Sequence, residues 1–473
     1  MSFTSLTFWV FLAAVFAAYW ILPDRRWKNI LLLVASYVFY GWVSPWLAVM
    51  LGASTLADYV LAKGIHANPS RRRLFLSLSL VLNVGVLAFF KYYNFFSPDL
   101  ANLFANFGIE NDFLLTRVLL PAGLSFYTLK KMSYMIDVSR SAFEPTHTLV
   151  DFALYVSFFP QIVAGPIDRP QKLLPQIESQ RTWNSEFFYA AWPLIVMGLF
   201  KKIVIADSIK VMVDRIFSLS DPSLFLFSMG ALAFTLQILA DFSGYTDIAR
   251  GAARLFGFET SENFNRPYLS LTPTDFWNRW HITLSTWLRD YIFFPVRRAL
   301  MRSRVPKGDG IRLPHWLVLS IPPIVTMFVS GLWHGAGWTF VIWGLYYGVL
   351  ISIYQLIGLR GDWKPKSPLL LGLAWLVMFC LIVFGWGIFR SSSLAWLGHV
   401  LFDMPFIRAQ NDLIVGLITL SMVIVYSIPL LIKFALDRFP REGWFQPAYY
   451  ALASALIVAF LSSSSPDFIY FQF

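Results

Sequence analysis

Apolar runs of membrane length recur from one end of this chain to the other, and they restrict what it can fold into. A spanning helix needs about 20 apolar residues, and long apolar runs begin at Leu6, Leu74, Phe187, Leu224, Leu369 and Leu413. Hydrocarbon offers no partners to backbone N–H and C=O groups, so segments of this kind must be helices. Of the 473 residues 57% are hydrophobic and only 14% charged, and 19 Trp and 46 Phe suit interfacial belts. The chain reads as an all-α, polytopic integral membrane protein.

Further candidate spans include Phe113–Tyr127, Phe152–Val163, Leu224–Leu239, Phe276–Phe294, Trp316–Val329 and Thr339–Ile353. Several are too short or too polar to cross alone, which predicts about eleven to thirteen spans together with re-entrant or interfacial segments. No heptads, low-complexity linker or internal repeat divides residues 1–473, so one domain is the simplest organisation.

The net charge is +11, carried largely by short loops such as Arg25-Arg26-Trp27-Lys28, Arg71-Arg72-Arg73 and the basic segment Arg297–Arg312. Loop clusters of this kind mark the cytoplasmic side and place the N-terminus outside. They form no continuous basic face, which argues against nucleic acid as a partner. The first run, Leu6 to Leu22, lacks a basic leader and a small-residue cleavage site and reads as a retained helix. Cys380 is the single cysteine, so disulfides within the chain are excluded and a thiolate metal site is not expected.

Polar residues concentrate between about Pro121 and Tyr347. In Leu124–Asp137, Lys130-Lys131 either meets a negatively charged donor or marks the cytoplasmic interface, and frequency favours the interface. Pro160, Pro166 and Pro170 prevent a regular helix, giving a cavity wall or an interfacial loop. Gln237, Asp241 and Tyr245 fall at spacings of four, on one face of a continued helix, and an intramembrane Asp calls for a specific partner. Thr272-Pro-Thr-Asp275 is a helix start. Beyond it Thr274, Asn278, His281, Ser285 and Arg289 draw a polar stripe opposite Trp277, Trp280, Leu284 and Trp287.

At the heart of this middle lies Ser330-Gly-Leu-Trp-His-Gly-Ala-Gly-Trp338, where two apolar runs meet at His334 between Trp333 and Trp338. An ionisable residue at membrane depth is costly and is a functional candidate by default. A histidine satisfied at a helix end is the competing account. No HExxH spacing supports a metal at His281, His334 and Asp241. No GxSxG or suitably placed Cys offers a nucleophile. Histidine titrates near neutral pH, as a general base must.

Phe276-Trp-Asn-Arg-Trp-His281, Leu284-Ser-Thr-Trp-Leu-Arg-Asp290 and Gly331-Leu-Trp-His-Gly335 together resemble the membrane-bound O-acyltransferase family, in particular its bacterial members that acetylate alginate and related exopolysaccharides. Asp241–Asp247, Asn263-Phe-Asn-Arg-Pro-Tyr268, Leu124–Tyr127, Val163–Pro166 and the ending Phe468–Phe473 also fit. The resemblance implies that His334 and His281 are the family's characteristic histidines, with His334 catalytic. It implies a ring of spanning helices around a tunnel, and Asp241, Tyr245, Asn278, Arg279, Ser285, Trp333 and Trp338 are the expected tunnel or substrate contacts. No bound cofactor is implied. An acyl thioester, acetyl-CoA or a carrier-bound acyl group, would donate from the cytoplasmic side of a bacterial inner membrane. A periplasmic SGNH-type partner and a polysaccharide would receive the group. Lys130-Lys131 and the basic Arg297–Arg312 depart from that pattern. A transporter moving a solute or proton through the same His/Asp chamber is the alternative, which an internal repeat would favour.

Overall fold

The computed structural model describes residues 1–107, 118–302, 314–438, 443–461 and 468. Arg304, Lys307 and Arg312 of the basic segment, the start of Phe113–Tyr127 and residues 469–473 of the C-terminal motif lie outside the described residues. In chain order the helices begin with α1 (Leu6–Ile21), α2 (Arg25–Gly41), α3 (Pro45–Ala67), α4 (Arg72–Asn106), α5 (Leu124–Ser139), α6 (Leu149–Ser157) and α7 (Pro170–Glu178). Next come α8 (Ser185–Leu199), a π-helical segment (Phe200–Ala206), α9 (Asp207–Phe217), α10 (Leu224–Leu255), α11 (Pro273–Arg279), α12 (Ile282–Leu288) and α13 (Phe294–Arg302). The chain continues with α14 (His315–His334), α15 (Trp338–Leu356), α16 (Pro368–Arg390), α17 (Leu394–Phe402), α18 (Gln410–Leu436) and α19 (Phe445–Phe460). It is an all-α, multi-pass membrane protein.

Among the described residues eight helical stretches are long and apolar enough to cross a membrane: those of α3, α4, α8–α9, α10, α14, α15, α16 and α18. Helices α1 and α19 are apolar but shorter. Some of the expected spans are interrupted for local reasons. Phe152–Val163 stops being helical at Ser157, ahead of Pro160, and Phe276–Phe294 is cut at His281. Conversely, Leu224–Leu239 extends to Leu255, so Gln237, Asp241 and Tyr245 do share one continuous helix.

Backbone packing groups the chain into two compact units, Met1–Ile195 with Tyr245–Ser261 and Val196–Gly244 with Glu262–Phe473. In the first, Lys130 and Lys131 are enclosed by protein, each only 2% exposed. Lys131 Nζ lies 3.1 Å from Asp58, whose carboxylate also accepts from Ser79 (2.5 Å) and Asn83 (2.8 Å). Lys130 donates to Gln161 (3.1 Å), whose amide donates to Asp168 (2.6 Å). A buried charge persists only with such partners, and these lie too far along the chain for local sequence to reveal them. The proline-rich stretch is buried from Phe158 to Asp168, which makes it interior backbone instead of an interfacial loop. Gly123 closes against it in a left-handed conformation (φ 77°), where a Cβ would stand 2.2 Å from the Ile162 carbonyl oxygen.

In the second unit α14 and α15 cross at very short range. A Cβ on Gly344 would meet the Met327 carbonyl oxygen at 2.3 Å, and one on Gly331 the Phe340 carbonyl oxygen at the same distance. Small residues permit this approach, as they do between membrane helices generally. The crossing fixes the C-terminal turn of α14, which ends in His334.

Candidate active site

The polar stripe expected on one helix is instead divided at its histidine. Thr272 caps α11 by accepting from Asp275 N, with Pro273 in the first turn, and Arg279 pairs with Asp275 at 2.7 Å. Trp280 is extended and bridges to Phe264, and His281 is left-handed (φ 43°, ψ 52°) before α12 begins at Ile282. For a residue with a Cβ that conformation costs on the order of 1–2 kcal/mol. The break separates the stripe: Thr274, Asn278, Ser285 and Arg289 line a cavity, and His281 turns into the interior with no exposed surface.

His281 is held on three sides. Its Nδ1 lies 3.2 Å from Asn263 Oδ1, and the Phe242 ring of α10 meets it edge-on at 4.7 Å between centroids. The Trp333 indole lies at 6.1 Å. The same indole is 5.0 Å from His334, so one tryptophan separates the two histidines. His334 is 6% exposed and also meets Trp343 at 5.0 Å and Phe389 at 5.5 Å, each edge-on. Trp343 in turn touches Trp277 at 5.6 Å and Tyr347 at 5.5 Å.

Trp277 joins this aromatic cluster to the cavity of about 290 Å³ that it lines with Asn278, Ser285, Arg289, Thr326 and Gln355. From the cavity wall to His334 the path is Trp277, Trp343, His334. Within the cluster the indole N–H groups of Trp277 and Trp343, the Tyr347 hydroxyl and the Ser330 hydroxyl are buried with no hydrogen-bond partner among the described residues. Ser330 stands four residues before His334, on the same face of α14. Buried polar atoms are nearly always paired. Others without a partner among the described residues lie elsewhere, on Tyr40 and Tyr127 for example, but here they gather on Trp343, which touches His334, and on Trp277 and Tyr347, which touch Trp343.

The remaining expected contacts are placed less uniformly. Asp241 has its specific partner, Lys202 at 2.8 Å, and lies one position before Phe242. Lys202 also pairs with Asp207 at 2.8 Å. Tyr245 belongs to the first unit, where its ring stacks on Phe3 at 4.5 Å. Arg279 is engaged with Asp275, and Trp338 is 63% exposed at the start of α15, so neither joins the aromatic cluster. Sequence reasoning passed over Trp343, Phe389 and Asn263 as site residues. Trp343 could have been found from the short turn after His334, which brings α15 back beside it.

The other histidines stand apart. His399 is exposed, with Nδ1 2.9 Å from Asp403 and Nε2 3.1 Å from Asp221. Hydrogen bonds to Asp403 and then Asp221 hold its pKa above the ordinary 6.5. Among the described residues no group of three or more His, Cys, Asp or Glu side chains could hold a metal ion.

A multi-pass helical protein that buries two histidines beside one tryptophan defines a class, and comparison with known proteins identifies it. Residues 65–308 match the model of the MBOAT, membrane-bound O-acyltransferase family, a range that includes His281 and stops short of His334. The chain is 40% identical over 403 residues to the probable alginate O-acetylase of Azotobacter vinelandii, covering 84% of this chain and 77% of that protein. It is 33% identical over 428 residues to a peptidoglycan O-acetyltransferase of Helicobacter pylori (83% and 77%). It is 28% identical over 288 residues to a teichoic acid D-alanyltransferase of Bacillus subtilis (57% and 68%). The chain belongs to the membrane-bound O-acyltransferase family and is an O-acyltransferase.

Proposed function

We propose that the protein takes an acetyl group from a thioester donor on the cytoplasmic side and passes it across the membrane, by way of a partner protein, for O-acetylation of an extracytoplasmic polysaccharide, alginate or a similar glycan. The observation that carries this reading is His334, buried against Trp343 and one turn from Ser330, whose N–H and O–H groups have no partner within the described residues. In the reaction the acceptor oxygen bonds to the acyl carbon and its proton passes to His334 acting as general base. The C–S bond then breaks and the thiolate takes the proton back. The carbonyl oxygen becomes negative in the tetrahedral intermediate, and the Trp277 and Trp343 N–H groups with the Ser330 hydroxyl are suited to stabilise it. The surrounding rings leave His334 only 6% exposed, and such burial strengthens these interactions.

The cavity beside Trp277 is the proposed donor entrance. Its lining alternates polar groups with apolar ones such as Met327 and Ile351, as a long thioester arm requires, and Arg289 offers a cation for a phosphate. Arg297, Arg298 and Arg302 on α13 place positive charge nearby in sequence, on the side that the loop-charge rule makes cytoplasmic. The names of the related proteins, which act on alginate, peptidoglycan and teichoic acid, support an envelope polymer as acceptor. A periplasmic SGNH-type partner completes the proposed route. Purified protein in vesicles with labelled acetyl donor should release acetyl slowly alone and faster with that partner. Equal glycan acetylation in cells lacking every such partner would replace this route with direct transfer.

A further inference from the structure

Asn263 reads at first as part of a loop, yet its side-chain oxygen collects three donors. His281 Nδ1 is 3.2 Å away, the Thr283 backbone N–H 3.2 Å and the Thr283 hydroxyl 2.9 Å. A backbone N–H can only donate, so the Asn263 atom facing Thr283 must be the amide oxygen and not the nitrogen. That oxygen can only accept, and Nδ1 of His281 must therefore carry a hydrogen. In the neutral ring this leaves the lone pair on Nε2. The backbone enforces the arrangement as well: Ile282 N donates to the Asn263 carbonyl (3.0 Å), and the left-handed turn at His281 swings the ring toward it. Asn263 and His281 are both essentially without exposed surface, so water cannot exchange the tautomer freely.

We infer that Asn263 is a positioning residue that locks His281 as the Nδ1–H tautomer and presents Nε2 as a hydrogen-bond and proton acceptor. His281 then belongs to the side of the reaction that handles the acceptor hydroxyl. It cannot serve as a donor to the carbonyl oxygen unless it is protonated. This inference rests on the acyltransfer reading above and adds a role to its second histidine. Charged and titratable groups on the elements packed against His281 are few among the described residues. Helix α10 brings Phe242 and, one position earlier, Asp241 paired with Lys202, and α14 brings Trp333 followed by His334.

Two measurements test it. The first is nitrogen NMR of histidine-labelled full-length protein in nanodiscs, with the His281 signal assigned by its loss in His281→Asn. The Nδ1–H tautomer is expected at neutral pH, and an Nε2–H tautomer overturns the inference. The second is the pH–rate profile of acetyl transfer. Asn263→Ala should lower the rate about 10- to 100-fold, as removing a histidine's orienting partner does elsewhere. Asn263→Asp places a carboxylate on Nδ1–H, favours the imidazolium and should move the acid limb up by about one pH unit or more. It should recover part of the rate above that limb. A folded Asn263→Asp protein whose profile coincides with wild type overturns the inference. Absence of transfer by wild type would instead refute the acyltransfer reading, and the NMR result would still decide the tautomer. If Asn263→Asp does not fold, the tautomer measured on wild type decides alone.

Discussion

Two buried polar regions of this molecule are built on opposite terms. In the first unit the charges of Lys131 and Asp58 meet at 3.1 Å, and Ser79 and Asn83 supply further bonds to the carboxylate. In the second unit His334 touches Trp343, which touches Trp277 and Tyr347, and Ser330 lies one turn before it; the N–H and O–H groups of these four have no partner among the described residues. Both regions are closed to solvent, so burial alone does not distinguish structure from chemistry. Satisfaction does. The charges of the first network are engaged with one another, although the Asn83 amide oxygen in it has no partner among the described residues, whereas the donors left open near His334 are available for charge that appears only during reaction.

The comparison can be broken most severely at the ion pair. Asp58→Ala leaves Lys131 charged and alone, a change that costs about 3–5 kcal/mol in buried pairs. Membrane abundance should collapse, and the double variant Asp58→Leu/Lys131→Met should recover most of it. Normal abundance of the single variant, read by immunoblot, would remove the structural role assigned to this network. Trp343→Phe keeps the ring and deletes one donor beside His334. The expected outcome is a loss of about 10²–10³ in acetyl-transfer rate at near-normal abundance, the usual effect of removing one oxyanion donor.

A gentler lesion separates scaffold from site. Gly344→Val forces a side chain against the Met327 carbonyl oxygen, and overpacking of this kind costs about 1–3 kcal/mol. A lower thermal midpoint in detergent, with a proportionate fall in activity, is expected. The smallest effect belongs to His399. Its folded-state pKa is raised by Asp403 and Asp221, so its contribution to stability is complete below the ordinary pKa of 6.5. That contribution is lost as pH rises through the raised value. The wild-type melting midpoint should therefore fall slightly above that point, and His399→Ala should abolish the slope there. High salt should shrink the difference, because the cluster is exposed.

Much of this was legible in the chain itself, and the exceptions have physical causes. The apolar runs announced a helical membrane protein, and the helix start at Thr272 and the continuous face of Gln237, Asp241 and Tyr245 followed from local rules. His334 stood out as a titratable residue between apolar runs. What periodicity hid was the left-handed residue at His281, because a helical repeat assumes the helix continues. The partners of Lys130 and Lys131 come from Gln161 and Asp58, one well after and one well before them, and no local pattern encodes such pairings. Trp338 looked equivalent to Trp333 in the motif, but the turn at Gly335–Gly337 leaves it exposed at the start of the next helix.

The central claim is that His334 acts as a base and not as a packing residue, and His334→Gln tests it most directly. Glutamine can hydrogen-bond in the same place yet cannot accept a proton near neutral pH. Reconstituted His334→Gln protein should unfold at close to the wild-type temperature and transfer acetyl about 10²–10⁴-fold more slowly, the contribution of a positioned general base. A well-folded His334→Gln protein that transfers acetyl at the wild-type rate would contradict the account.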